Sequence, residues 1–149
     1  LMLVVVDTNV LLRVIEPGHP QHDVAAASLR SIRARGHELC LLLQISYEFW
    51  LVATSSVEFG GLGMTAEEAE AELTQLGPPL FRLFRDEKTL SDQYRDYVNN
   101  LAGKKVYDTR LVAEMQRHGL RNLLTFNLAD FREHSGINLL DPVRVASGT

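Results

Sequence analysis

Short, wholly apolar runs alternate along this chain with longer segments whose apolar side chains recur every three to four residues. The short runs have the length and β-branched content of buried strands, and the longer ones have helical period. Strands are predicted at Met2–Val6, Leu39–Leu43, Leu80–Phe84 and Asn122–Thr125, with a weaker one at Asn138–Leu140. Helices are predicted at Val10–Ile15, Gln21–Arg35, Gln44–Thr54, Ala66–Leu76, Glu87–Leu101 and Val106–His118, with Gly36 and Gly119 as C-terminal stops. Strand and helix in alternation is the pattern of βαβ units, and apolar residues at consecutive strand positions imply a parallel sheet covered on both faces. The stretch Ser55–Met64 contains Gly60, Gly61 and Gly63 and reads as a mobile loop. Thr65-x-x-Glu68 then forms a capping box for the next helix.

The 149 residues suit one domain, and 46% hydrophobic content is enough for a core. Fifteen Lys and Arg against 19 Asp and Glu give a net charge of −4, the wrong sign for holding nucleic acid by charge alone. The one cysteine, Cys40, lies in the apolar run Leu39–Leu43 and has no partner for an internal disulfide, which favours a reducing, cytoplasmic setting. The apolar run Leu1–Val6 stops at Asp7 without a basic flank, so it reads as a strand and not as a signal or membrane segment.

Four acids stand out from this frame. Asp7 ends the first strand, at the carboxyl edge where open α/β sheets place their sites, although an N-cap role explains it as well. Glu48 is expected on the helical arc of Ile45, Leu51 and Val52, facing inward. There a lone carboxylate needs a cation, a donor network or a shifted pKa. Asp108 shares a stripe with Leu111, Val112 and Met115, with helix capping as the alternative. Asp130 follows the strand at Asn122–Thr125, where it is either a member of the same edge or an ordinary capping acid. Oxygen ligands converging without cysteine would suit a hard cation, Mg²⁺ or Mn²⁺, and such a site suits phosphodiester hydrolysis.

The motifs Val5-Val6-Asp7-Thr8-Asn9-Val10-Leu11-Leu12, Ser46-Tyr47-Glu48-Phe49, Tyr107-Asp108-Thr109-Arg110-Leu111-Val112-Ala113 and Thr125-x-Asn127-x-x-Asp130-Phe131 occur in that order. Together they resemble a PIN domain of the VapC type over nearly the whole chain. The resemblance implies a three-layer α/β/α sandwich around a mainly parallel sheet, and Mg²⁺- or Mn²⁺-dependent endoribonuclease activity. It also implies a homodimer and a VapB-type antitoxin as partner. It makes Asp7, Glu48 and Asp108 the core metal ligands and Asp130 the fourth acid. Thr8, Asn9, Thr125 and Asn127 are then expected to orient those ligands by hydrogen bonds.

Other features carry less. His19 and His22 stand among Pro17, Gly18 and Pro20 with no cysteine or third histidine near, and read as surface residues. Lys104, Lys105, Arg110 and Arg117 flank Asp108 and are either phosphate contacts or solvated charge. The acidic run Glu67, Glu68, Glu70, Glu72 reads as a solvated helix face. Two rival readings are a phosphoryl-transfer enzyme with Asp7 as nucleophile, and a non-catalytic RNA-binding module of the same fold. The first lacks an acid at position 9 and has no need of an inward Glu48.

Overall fold

The computed structural model describes residues 1–77, 80–84 and 104–148, without the side chains of residues 104–107. The predicted helix Glu87–Leu101 and the side chains of Lys104 and Lys105 lie outside that description. The described elements run β1 (Leu3–Val6), α1 (Thr8–Val14), α2 (His22–Ala34), β2 (Glu38–Leu42), α3 (Leu43–Thr54), α4 (Ala66–Gln75), β3 (Phe81–Phe84), α5 (Lys104–Arg117), β4 (Asn122–Leu124), α6 (Leu128–Phe131), β5 (Asn138–Leu140) and α7 (Pro142–Ala146). The five strands form one sheet in the order β3-β2-β1-β4-β5. All four pairings are parallel, with Val5 of β1 beside Cys40 on one side and Leu123 on the other. Helices flank the sheet in an α/β/α sandwich.

Burial follows strand position. Val4, Val5 and Val6 of the central strand are fully buried at consecutive positions, as a strand covered on both faces requires. The edge strands alternate or open out. Arg82 and Leu83 of β3 are exposed, and Arg82 lies 3.6 Å from Glu38 and over the Phe84 ring. A charged edge discourages pairing with another sheet.

The topology also sets where a site belongs. From β1 the chain steps to β2 and then β3, whereas from β4 it steps the opposite way to β5. With right-handed crossovers, the connections leaving β1 and β4 pass to opposite faces and open a crevice at the carboxyl ends of these two strands. Asp7 and Thr125 are the residues immediately beyond those ends.

Two expectations are corrected. The stretch Ser55–Met64 is a folded turn, with Val57–Phe59 in a 3₁₀ turn and backbone bonds returning to α3: Leu62 N–H to Val52 O at 3.1 Å and Met64 N–H to Ala53 O at 2.9 Å. A Cβ on Gly61 would run into the Ser55 carbonyl, so glycine there serves close packing. The buried stripe of α3 is Ile45, Phe49 and Ala53, while Leu51 is exposed. A run of apolar residues blurs the helical phase, and the sheet selects the face with Phe49. Gly36 and Gly119 do end their helices, both at positive φ.

Candidate active site

Asp7 sits at the junction of sheet and helix. Its N–H still donates to the Leu124 carbonyl at 3.0 Å, while its own carbonyl accepts the N–H groups of Val10 and Leu11 in the first turn of α1. The backbone is extended at Asp7 and helical from Thr8, which makes Asp7 the N-cap and leaves its side chain at the carboxyl edge. Capping and site membership are therefore not exclusive: one oxygen serves the helix and the other turns to β4. Oδ1 accepts the Thr8 N–H at 2.8 Å, and Oδ2 accepts the Thr125 hydroxyl at 2.8 Å. The Asn9 amide lies 3.4 Å from Oδ2. Asp7 is 6% exposed and Thr125 is fully buried.

Thr125 is the knot of this network. Its oxygen accepts the Asn9 amide at 3.2 Å and the Asn127 backbone N–H at 3.0 Å. Asn9 Oδ1 in turn accepts the Phe126 N–H at 3.2 Å, tying the β1–α1 junction to the loop after β4. Thr8 has a role beyond the expected one. Its backbone holds Asp7, but its hydroxyl donates to Glu48 Oε2 at 2.8 Å, so one residue links the two acids.

Glu48 is partly buried on the flank of the α3 stripe. Its second oxygen accepts the Gln44 amide at 2.9 Å. Burial pushes its pKa above the ordinary value, the bonds from Gln44 and Thr8 work against that rise, and the negative charge of Asp108 adds to it. Asp108 is thus near enough to act on Glu48. It lies on α5 with Leu111, Val112 and Met115 buried on the expected stripe. Because α5 begins at Lys104, Asp108 is beyond the first turn and does not cap the helix.

Asp130 lies on the loop-to-helix segment that follows Asn127. It is exposed in the first turn of α6, and its N–H donates to the Asn127 carbonyl at 3.2 Å. His19 and His22 brace the α1–α2 turn: the Gln21 N–H donates to His19 Nδ1 at 3.0 Å, and His22 Nδ1 lies 2.9 Å from the Arg13 carbonyl. Gln44 was not anticipated as part of the site. Its signal in the sequence was its place four residues before Glu48 on a predicted helix.

The parallel sheet thus carries a buried acid, Asp7, at its switch point, tied through Thr8 to Glu48 on α3. The chain belongs to the PIN domain family, whose model matches residues 4–136. Members of that family are generally nucleases, and they generally use divalent metals. No curated protein matches the chain. Among the described residues, no helix is long and apolar enough to cross a membrane.

Whether the residues suit such an ion is a matter of donor chemistry and charge. Among the described residues, no three His, Cys, Asp or Glu side chains close together into a metal cage. Asp7 and Glu48, joined through Thr8, are hard oxygen donors already oriented by hydrogen bonds, and Asp108 adds charge near Glu48. Mg²⁺ keeps several of its waters and needs only one or two carboxylates, so this donor set fits it without a closed cage.

Proposed function

We propose that the protein is an Mg²⁺- or Mn²⁺-dependent endoribonuclease and the toxin of a VapBC-type toxin–antitoxin pair. The observation that carries this reading is geometric: Thr8 joins two acids from separate elements, its N–H on buried Asp7 and its hydroxyl on Glu48, both at 2.8 Å, with Asp108 near enough to act on Glu48. Anionic groups gathered at a switch point favour a cation, and phosphodiester hydrolysis is chemistry that a cation assists.

Asp7, Glu48 and Asp108 would hold the ion, with Asp130 as the fourth acid on the edge. When bound, the ion would neutralise the scissile phosphate and lower the pKa of a water. The chain's own contribution is to aim the acids. Thr8 and Thr125 fix the Asp7 carboxylate, Asn9 and Asn127 fix Thr125, and Gln44 and Thr8 fix Glu48. Water then adds to phosphorus and the 3′-oxygen leaves with a proton, without a covalent enzyme intermediate.

The proposed partners are a second copy of the chain and a VapB-type antitoxin. A groove of about 740 Å³ runs along α4 beside Trp50, lined by Ala66, Ala71, Glu67 and Glu70. Trp50 and the two alanines offer apolar contact beside Glu67 and Glu70, which complements a basic amphipathic helix, the antitoxin segment we assign to it. A basic residue at the end of that segment would enter the acidic pocket in place of the ion. The function is tested by incubating the purified protein with RNA in EDTA and then restoring Mn²⁺ or Mg²⁺. Cleavage should stop and return, and cleavage that persists in chelator would rule the reading out.

A further inference from the structure

Glu48 is gripped from two elements at once. Gln44, one turn earlier on α3, donates to Oε1, and Thr8 donates to Oε2 from α1. The last torsion of a glutamate is broad and weakly restrained, so one donor leaves the carboxylate free to swing while two donors on separate oxygens fix its plane. Each oxygen keeps a second lone-pair direction for another partner. Both donors are also neutral. A lysine or arginine at position 44 would make the same bond but would supply the positive charge itself and compete with any ion. The amide of Gln44 orients the carboxylate and leaves its charge unspent.

We propose that Gln44 is a positioning residue of this site, holding the Glu48 carboxylate in the orientation that receives a divalent cation without itself touching the ion or RNA. The proposal rests on the reading of Glu48 as a metal ligand. Partners of this kind typically change metal affinity by about 10–100-fold when removed.

The test is a Mn²⁺ titration of chelator-cleared protein, with free ion followed by electron paramagnetic resonance, for wild type, Gln44→Met and Gln44→Lys. Both substitutes are good helix formers, so α3 is retained and metal-free melting temperatures should stay close to wild type. Gln44→Met should weaken Mn²⁺ binding by about 10-fold or more. Gln44→Lys should weaken it further although it restores a donor, which a merely structural role for the residue would not produce. With RNA, the Mn²⁺ concentration for half-activation should rise in Gln44→Met while the rate at saturating Mn²⁺ largely recovers. If Gln44→Met does not fold, Gln44→Ala makes the same comparison without the bulk. Wild-type affinity in a folded variant overturns the role of Gln44 and leaves the site standing. Failure of the wild type to bind Mn²⁺ overturns the site, and the role of Gln44 with it.

Discussion

Thr125 donates its hydroxyl proton to Asp7 Oδ2 at 2.8 Å across 118 residues of sequence. The Thr125 hydroxyl oxygen itself accepts N–H groups from Asn9 and Asn127, so its proton has a single productive direction, toward Asp7. A buried hydroxyl locked in this way fixes the plane of the carboxylate, with Oδ1 on the Thr8 N–H and Oδ2 turned to Thr125.

Thr125→Val keeps the shape and deletes all three bonds. With Asn9 and the Asn127 N–H left unsatisfied beside a fully buried position, the variant should lose about 1–3 kcal/mol, measured by chemical denaturation. Cleavage should fall with it. Thr125→Ser keeps the hydroxyl and should retain most activity. Equal stability of the valine variant and wild type would mean that the network does not hold Asp7.

The two aspartates should separate folding from function. Asp7→Asn replaces an acceptor that already serves Thr8 and Thr125, so it should be inactive and also less stable by about 1–2 kcal/mol. Asp108→Asn should be equally inactive but no less stable in metal-free buffer, because it removes the charge that opposes ionisation of Glu48. Paired melting and cleavage assays check both. Wild-type cleavage by either folded variant would exclude that residue from the site.

The fold was legible where local pattern and tertiary demand agree. Asn138–Leu140 and the start of α4 at Ala66 stand where the periodicity puts them, and most other boundaries move by a residue or two. Cooperative strand pairing decides such ends, as when Leu43 leaves the predicted strand to begin α3. The short helices α6 and α7 carry too few residues for a period to register, although Asp141-Pro142 is a recognisable start. Asp7 and Glu48 were legible because acids interrupt apolar patterns. The Thr8 link was not, since a hydroxyl beside its predicted partner gives no sign that it turns to another helix. Gln44 did carry a signal, its place one turn before Glu48 on the same helix, but an amide at that spacing is as often a solvated side chain.

Glu48 makes both stability and activity depend on pH. Its folded pKa lies above the ordinary 4.5, so the folded chain holds this proton more tightly than the unfolded chain does. Its contribution to metal-free stability is complete below the ordinary value and is lost as pH rises through the folded one. Glu48→Gln should abolish that pH dependence, with a melting temperature that stays flat where that of the wild type falls, whatever the cost of facing an amide donor to Gln44 or Thr8. Activity should run the other way, falling on acidification earlier than an ordinary glutamate would dictate. A wild-type melting profile that matches Glu48→Gln across this window would show that burial does not strain Glu48.

The groove beside Trp50 should govern antitoxin affinity, and the pocket should govern inhibition. Glu70→Lys reverses charge in the groove and should weaken the complex, read by titration calorimetry. Replacing the antitoxin's terminal basic residue with alanine should leave the complex formed and restore nuclease activity. Full inhibition by that variant would mean that the partner blocks RNA access or distorts the site.

Hydrolysis by water at a cation held by Asp7, Glu48 and Asp108 would be written in the ends of the RNA fragments. Mass spectrometry of products made with Mn²⁺ should find 5′-phosphate and 3′-hydroxyl termini, and no products should form in EDTA or with Asp108→Asn. Fragments ending in 2′,3′-cyclic phosphate with 5′-hydroxyl partners would contradict it, because they would show that the RNA's own 2′-hydroxyl is the nucleophile.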